Sequence, residues 1–137
     1  INPKKYVILG LRGGLYDPDD LKWAIDQGIT IISTDKFYEI GMEETIKIIK
    51  DVLEDTSTYF TFDIDGIDPT FAPGTGTPEV GGITVREAQL IIRHLNSLNF
   101  IGADVVEVSP PFDVNNMTSL VGATIAFEIL CTMTKTN

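Results

Sequence analysis

Three carboxylates lie within six residues, in Asp63-Ile64-Asp65-Gly66-Ile67-Asp68, directly after the apolar run Tyr59-Phe60-Thr61-Phe62. In an extended chain residues two apart share a face, so Asp63 and Asp65 can point at one ion while Ile64 packs away. Like charges held away from water repel, and a bound cation is the usual remedy. Carboxylate oxygen suits a hard divalent ion, Mg²⁺, Ca²⁺ or Mn²⁺. The competing role, capping and turning at a strand end, is the better reading of Asp68-Pro69. Glu107, in Val105-Val106-Glu107-Val108-Ser109, ends a second apolar run; it is either a site residue or a solvated strand end. Asp104, inside that run, needs a partner that the sequence does not identify. Between the two runs, residues 70–82 carry too many glycines and prolines for helix or strand and read as a loop lining a site. Glu79 in that loop faces either the site or solvent.

The elements that must position these residues alternate between short β-branched runs and longer periodic segments. Strands are expected at Tyr6–Gly10, Thr30–Thr34, Tyr59–Asp63 and Ile101–Glu107, each nearly all apolar, as in a parallel sheet covered on both faces. A first helix is expected from Asp17-Pro18, with Asp17 as cap, to Gly28. A second places Met42, Ile46, Ile49 and Leu53 on one stripe, with Glu43 and Glu44 in its first turn. A third opens on the capping box Thr84-Val85-Arg86-Glu87 and lines up Val85, Ala88, Ile92 and Leu95. The last, about Thr118 to Met133, is apolar almost all round and should be largely buried or lie against a partner. Strand–helix units in series predict an α/β class, a parallel sheet with right-handed crossovers and helices on both faces. In such sheets sites form beyond the carboxyl ends of the strands, where Asp63, Asp65 and Glu107 fall.

The 137 residues fit one domain. The formal net charge of −10, from 20 acidic and 10 basic residues, argues against a nucleic-acid partner and tolerates a cationic small molecule. No apolar run is read as approaching the ~20 residues of a membrane helix, so no membrane partner is expected. Cys131, alone in an apolar stretch, reads as a reduced core thiol of an intracellular protein. His94, the single histidine, reads as ordinary helix surface or core. The chain opens at Ile1-Asn2-Pro3 with neither an initiator Met nor a signal-peptide pattern, which suggests a portion cut from something longer.

The stretch Phe62 to Thr84, FDIDGIDPTFAPGTGTPEVGGIT, resembles the final signature of the ureohydrolase family of arginases and agmatinases, and Val105 to Asp113, VVEVSPPFD, resembles its downstream glutamate motif. The similarity runs from about Tyr6 through the last helix, with Ala72–Glu79 closer to the agmatinase and guanidinobutyrase branch. It implies a three-layer α/β/α fold with a parallel sheet, residues 1–137 being the C-terminal portion of one domain. It also implies two Mn²⁺ ions bridged by hydroxide, Asp63 bridging both, Asp65 binding one and Glu107 receiving the substrate's guanidinium. The reaction implied is hydrolysis of a linear guanidino compound to urea and an amine, in the cytoplasm, by a homo-oligomer.

The family's remaining ligands, a histidine after a Gly-Gly-Asp turn and an Asp-x-His-x-x-Asp-like cluster, do not occur here, and neither does its catalytic histidine. Two aspartates cannot enclose two manganese ions, so this chain alone is expected to bind Mn²⁺ weakly and turn over nothing. Truncation is preferred over the alternative of a non-catalytic remnant that keeps the fold for assembly. A second alternative, a haloacid dehalogenase-type Mg²⁺-dependent phosphatase, shares the D-x-D-G pattern. It requires a hydroxyl residue soon after the glycine, where this chain has Ile67.

Overall fold

Residues 1–134 of the computed structural model are described here. Four strands alternate with helices: β1 (Val7–Leu11), α1 (Lys22–Asp26), β2 (Thr30–Ser33), α2 (Thr34–Leu53), β3 (Thr58–Asp63), α3 (Val85–His94), β4 (Phe100–Val106) and α4 (Met117–Met133). All pairing between these strands is parallel, as near-continuous apolar strands require, but they form two pairs, β1–β2 and β3–β4, rather than one four-stranded sheet. Helices α2, α3 and α4 pack side by side, α2 against β1 and β2, and α4 against β4. Their inner faces meet in one continuous core that includes Ile32, Ile46, Ile49, Ile64, Ile92 and Ile125. On β3 the alternation is visible residue by residue: Phe60 and Phe62 are half-buried, while Tyr59, Thr61 and Asp63 are exposed.

The first helix is the clearest departure from expectation. It spans only Lys22–Asp26 and has no side-chain cap. Asp17 does not cap it, because its carboxylate accepts the amide of Asp19 at 2.8 Å, and Asp20 takes the amides of Tyr16 and Asp17 at 2.9 and 3.0 Å. Short acidic side chains here satisfy the local amides in turn geometry, the conformation that competes with a helix start. The second helix begins eight residues earlier than its apolar stripe suggests. Ser33 caps it by accepting the amide of Lys36 at 3.1 Å, and a break at Gly41, φ 80°, separates the extra turns from the stripe of Ile46, Ile49 and Leu53.

The capping box of α3 forms as the sequence requires: the Thr84 hydroxyl accepts the amide of Glu87 at 3.1 Å and the Glu87 carboxylate accepts the amide of Thr84 at 2.7 Å. Helix α4 buries Val121, Ile125 and Ile129, and its Glu128 forms a forked pair with Arg93 of α3. Its opposite face, with Met117, Leu120, Phe127 and Leu130, is apolar yet exposed. Contrary to expectation, the 20-residue segment Val114–Met133, with mean hydropathy 1.3, is long and apolar enough to cross a membrane. One face of it packs into the core through Val121, Ile125 and Ile129 and carries the ion-paired Glu128, and 28% of the segment is buried.

The cap of α3 gives a direct test of this local logic. Thr84→Ala leaves the amide of Glu87 without its acceptor and should lower stability by about 1 kcal/mol. Equilibrium urea unfolding checks this, with an unchanged slope expected.

Candidate functional site

The β3–β4 register brings the site residues together. Asp63, the last residue of β3, pairs with Val106, the last of β4, so Glu107 follows directly beside it. Beyond Asp63 the chain tightens into a 3₁₀ turn, Ile64–Gly66, which buries Ile64 completely and caps itself through the Asp63 carboxylate, an acceptor for the amide of Asp65 at 3.1 Å. Partial enclosure at the strand end pushes the Asp63 carboxyl pKa up. The Asp65 amide bond opposes that shift, whereas the charges of Asp65 and Glu107 add to it. A carboxylate destabilised by lost water and by two like charges is a place where a cation is favoured.

Glu107 itself adopts φ 65°, the left-handed region that a non-glycine residue enters at a cost. Here the strand must end and the chain must double back. Val108 bridges antiparallel to Thr75, and the amide of Ser109 donates to the carbonyl of Gly74 at 2.8 Å. The glycine-rich loop is thereby drawn against Glu107: a Cβ on Gly76 would lie 3.9 Å from Glu107 Oε2. A groove of about 280 Å³, walled by Pro73, Thr75, Gly76, Pro78 and Phe112, opens there.

Two residues hold the loop in shape. Asp68 accepts the amides of Thr70 and Gly81 at 2.8 Å and that of Gly82 at 3.2 Å, which is the turn role its pairing with Pro69 suggested. The bonds from Thr70, with help from Gly81 and Gly82, pull its carboxyl pKa down to about 2. Gly82 has no room for a side chain, since a Cβ would fall 2.5 Å from the amide nitrogen of Asp68. The second residue, Arg12, follows β1 directly. Its guanidinium donates to the carbonyls of Asp65 at 2.6 Å, of Gly10 at 3.3 Å and, from Nε, of Glu79 at 3.1 Å and Val80 at 3.3 Å. One side chain thus joins the end of β1 to both limbs of the loop that leaves β3.

The other sequence candidates separate clearly. The Glu79 carboxylate lies over Gly13, where a Cβ would approach its Oε2 to 3.1 Å. Asp104 finds its partner in Tyr59, whose hydroxyl donates to Oδ2 at 3.0 Å; its Oδ1 is buried without a partner among the described residues. His94 is exposed at the end of α3 with Nδ1 2.7 Å from the carbonyl of Leu90. Arg12 and Thr77 were not singled out by sequence. The available signal for Arg12 was a lone cation closing an apolar strand, and for Thr77 a hydroxyl residue in the loop after the aspartates.

The donor chemistry suits a divalent metal ion, because Asp63, the cap of the 3₁₀ turn, and Asp65, two residues on within it, offer hard oxygen ligands. Their number is insufficient alone: among the described residues no group of three or more His, Cys, Asp or Glu side chains is arranged to hold a metal ion. Asp63 and Asp65 would therefore act as part of a ligand set, with Glu107 beside it.

Comparisons with known proteins converge on one family. The model of the arginase family matches residues 1–132. Guanidinopropionase of Pseudomonas aeruginosa is 50% identical over 131 residues, covering 96% of this chain and 41% of that protein. An agmatinase of Photorhabdus laumondii is 46% identical over 130 residues, covering 95% of this chain and 40% of its own length. Among solved structures, proclavaminate amidino hydrolase from Streptomyces clavuligerus superposes with a TM-score of 0.92 at 36% identity, over 100% of this chain and 44% of that one. The chain thus spans less than half the length of each of these relatives.

Two measurements probe the electrostatics of the site. Glu107→Asn removes one of the like charges near Asp63 and suits a positive φ better, so it should raise the thermal midpoint of the metal-free protein, by the equivalent of about 1 kcal/mol. A lowered midpoint would show that neither strain nor repulsion resides there. For Asp68 the folded-state pKa is about 2 against an ordinary 3.8. Its contribution to stability is therefore fully present above the ordinary value and lost as pH falls through the folded value. The difference in thermal midpoint between wild type and Asp68→Asn should accordingly stay constant above about pH 4 and shrink toward about pH 2.

Proposed function

The chain belongs to the arginase family, and from that premise we propose that the complete protein is a manganese-dependent ureohydrolase, converting a linear guanidino compound to urea and an amine. The observation that carries this reading is the convergence of Asp63 and Glu107 on the ends of two paired parallel strands, with Asp65 one turn away. Family membership sets aside the phosphatase alternative. The relatives' names, guanidinopropionase and agmatinase, support a small guanidino cation as substrate.

In this reading Asp63 and Asp65 hold part of the metal centre. Divalent manganese, when bound, supplies an activated water near neutral pH. The carboxylate of Glu107 faces the substrate. A planar guanidinium and a carboxylate meet through parallel N–H···O bonds, so Glu107 can hold the cation in one orientation with its central carbon presented for attack. The same negative charge opposes loss of the substrate's positive charge and stays complementary as the carbon becomes tetrahedral. The loop walls at Pro78 and Phe112 limit solvent on one side. The chain by itself supplies an incomplete ligand set and is inactive. A cytoplasmic homo-oligomer is part of the proposal, its oligomeric part supported by the uncovered apolar face of α4.

The test is urea release from agmatine, 4-guanidinobutyrate and 3-guanidinopropionate with Mn²⁺, using the full-length protein and the 137-residue chain separately. Urea from the full-length protein alone supports the proposal, and urea from neither points to a remnant retained for assembly. In the active form, Asp63→Ala should abolish both turnover and metal retention. Glu107→Gln should leave manganese content unchanged while lowering kcat by about 10²–10³-fold. Loss of manganese from Glu107→Gln with activity restored on reconstitution would refute its assigned role.

A further inference from the structure

Asp65 is restrained at every polar group but one. Its amide donates to Asp63 Oδ1 at 3.1 Å, its carbonyl accepts Arg12 Nη2 at 2.6 Å, and its Oδ2 accepts the hydroxyl of Thr77 at 2.9 Å. Among the described residues, only its Oδ1 accepts no hydrogen bond. The Thr77 contact crosses 12 residues of sequence, over a loop that has to be closed before the bond can form. That closure is built in. Arg12 grips the carbonyls of Glu79 and Val80 just beyond Thr77, Asp68 collects the amides of Gly81 and Gly82, and the Thr75–Val108 bridge fixes the approach from the other side. Thr77 is therefore delivered by a loop whose backbone is anchored on both flanks.

We infer that Thr77 is a positioning residue for the metal site: its hydroxyl holds Asp65 Oδ2 so that the carboxylate is oriented before an ion arrives. The inference rests on the reading of Asp65 as a ligand. Its physical basis is entropic and electrostatic. A free aspartate at a turn samples several rotamers, and fixing it on binding costs affinity. A hydroxyl already bonded to one oxygen removes that cost and spreads part of the carboxylate's charge, lessening repulsion with Asp63. The neighbouring Gly76 supports the same geometry. With no side chain, it leaves the carboxylate of Glu107 close to the loop backbone, so that Gly76-Thr77 spans from Glu107 to Asp65.

The experiment measures Mn²⁺ affinity of the full-length protein by titration calorimetry, alongside the thermal midpoint of the metal-free form. Thr77→Val, nearly isosteric and lacking the hydroxyl, should weaken Mn²⁺ binding by about 10-fold or more, with the metal-free midpoint unchanged. Thr77→Ser should restore wild-type affinity. Arg12→Lys, which keeps the charge but loses the fork on the carbonyls, should shift affinity in the same direction as Thr77→Val. Wild-type affinity in Thr77→Val, or a loss matched by a fall in metal-free stability, or failure of serine to restore binding, would overturn the inference. Asp65→Ala separates this from the underlying reading. If that variant retains wild-type affinity, Asp65 is no ligand and both fail. If it loses affinity while Thr77→Val does not, only the positioning role fails.

Discussion

Register between two parallel strands is the constraint on which the remainder depends. A shift of one residue in the β3–β4 pairing would turn Asp63 or Glu107 to the other sheet face and bury a charge against Ile125 or Ile129 of α4. Apolar side chains support the register: Phe60 and Phe62 pack toward the core beside Phe100, with ring centroids of Phe60 and Phe100 5.3 Å apart, and the Tyr59–Asp104 hydrogen bond ties the same two strands on the other face. Packing energy spread along the strands thus fixes where two like charges end. The strands can gather carboxylates because the cost of that repulsion falls at their solvent end, whereas the stabilisation comes from the buried part.

The loop solves a different problem. Eighteen residues separate the 3₁₀ turn from the start of α3 without helix or strand, yet the segment is well buried at Ala72, Gly74, Thr75, Gly82 and Ile83. A buried irregular backbone needs partners for its amides and carbonyls. Asp68 supplies acceptors for three amides, Arg12 donors for carbonyls on both limbs, and Thr118 a hydroxyl for the amide of Gly74 at 2.8 Å. Charged side chains are effective here because each satisfies several backbone groups at once. The glycines at 74 and 82 allow the approach: at both, a Cβ would meet backbone atoms under 3.0 Å away.

What could be read from sequence divides along the same line. Strands β1 to β4 and the cap of α3 were legible within a residue or so, since each depends on local pattern: β-branched runs, or a threonine three residues before a glutamate. Asp63, Asp65 and Glu107 were legible as strand-end carboxylates, and the roles proposed for them come from the resemblance to the ureohydrolase family. The misplaced start of α1 came from aspartates that suit both a helix cap and a turn, a choice decided by side-chain bonds rather than residue type. The pairing of strands in two separate sheets and the exposed apolar face of α4 depend on long-range contacts and had no local signature. Arg12 and Thr77 were invisible for the same reason: their bonds to Asp65 span 53 and 12 residues.

Strain at the site also bears on how binding and stability are linked. Glu107 occupies a left-handed conformation, and Asp63 holds its proton more tightly than an aspartate in water, so the metal-free site is a local destabilisation within an otherwise well-packed core. A cation that binds only the folded arrangement returns stability in proportion to its concentration over its dissociation constant. Much of that gain would be relief of repulsion already present, which is why the carboxylates need a rigid frame: if Asp63 and Asp65 could swing apart, the repulsion would dissipate by motion and the ion would gain less. Arg12 and Thr77 tie Asp65 to the loop, and Asp68 ties the loop to itself. Under the proposed metal-binding role, rigidity of the loop and affinity at the strand ends would be two aspects of one electrostatic arrangement.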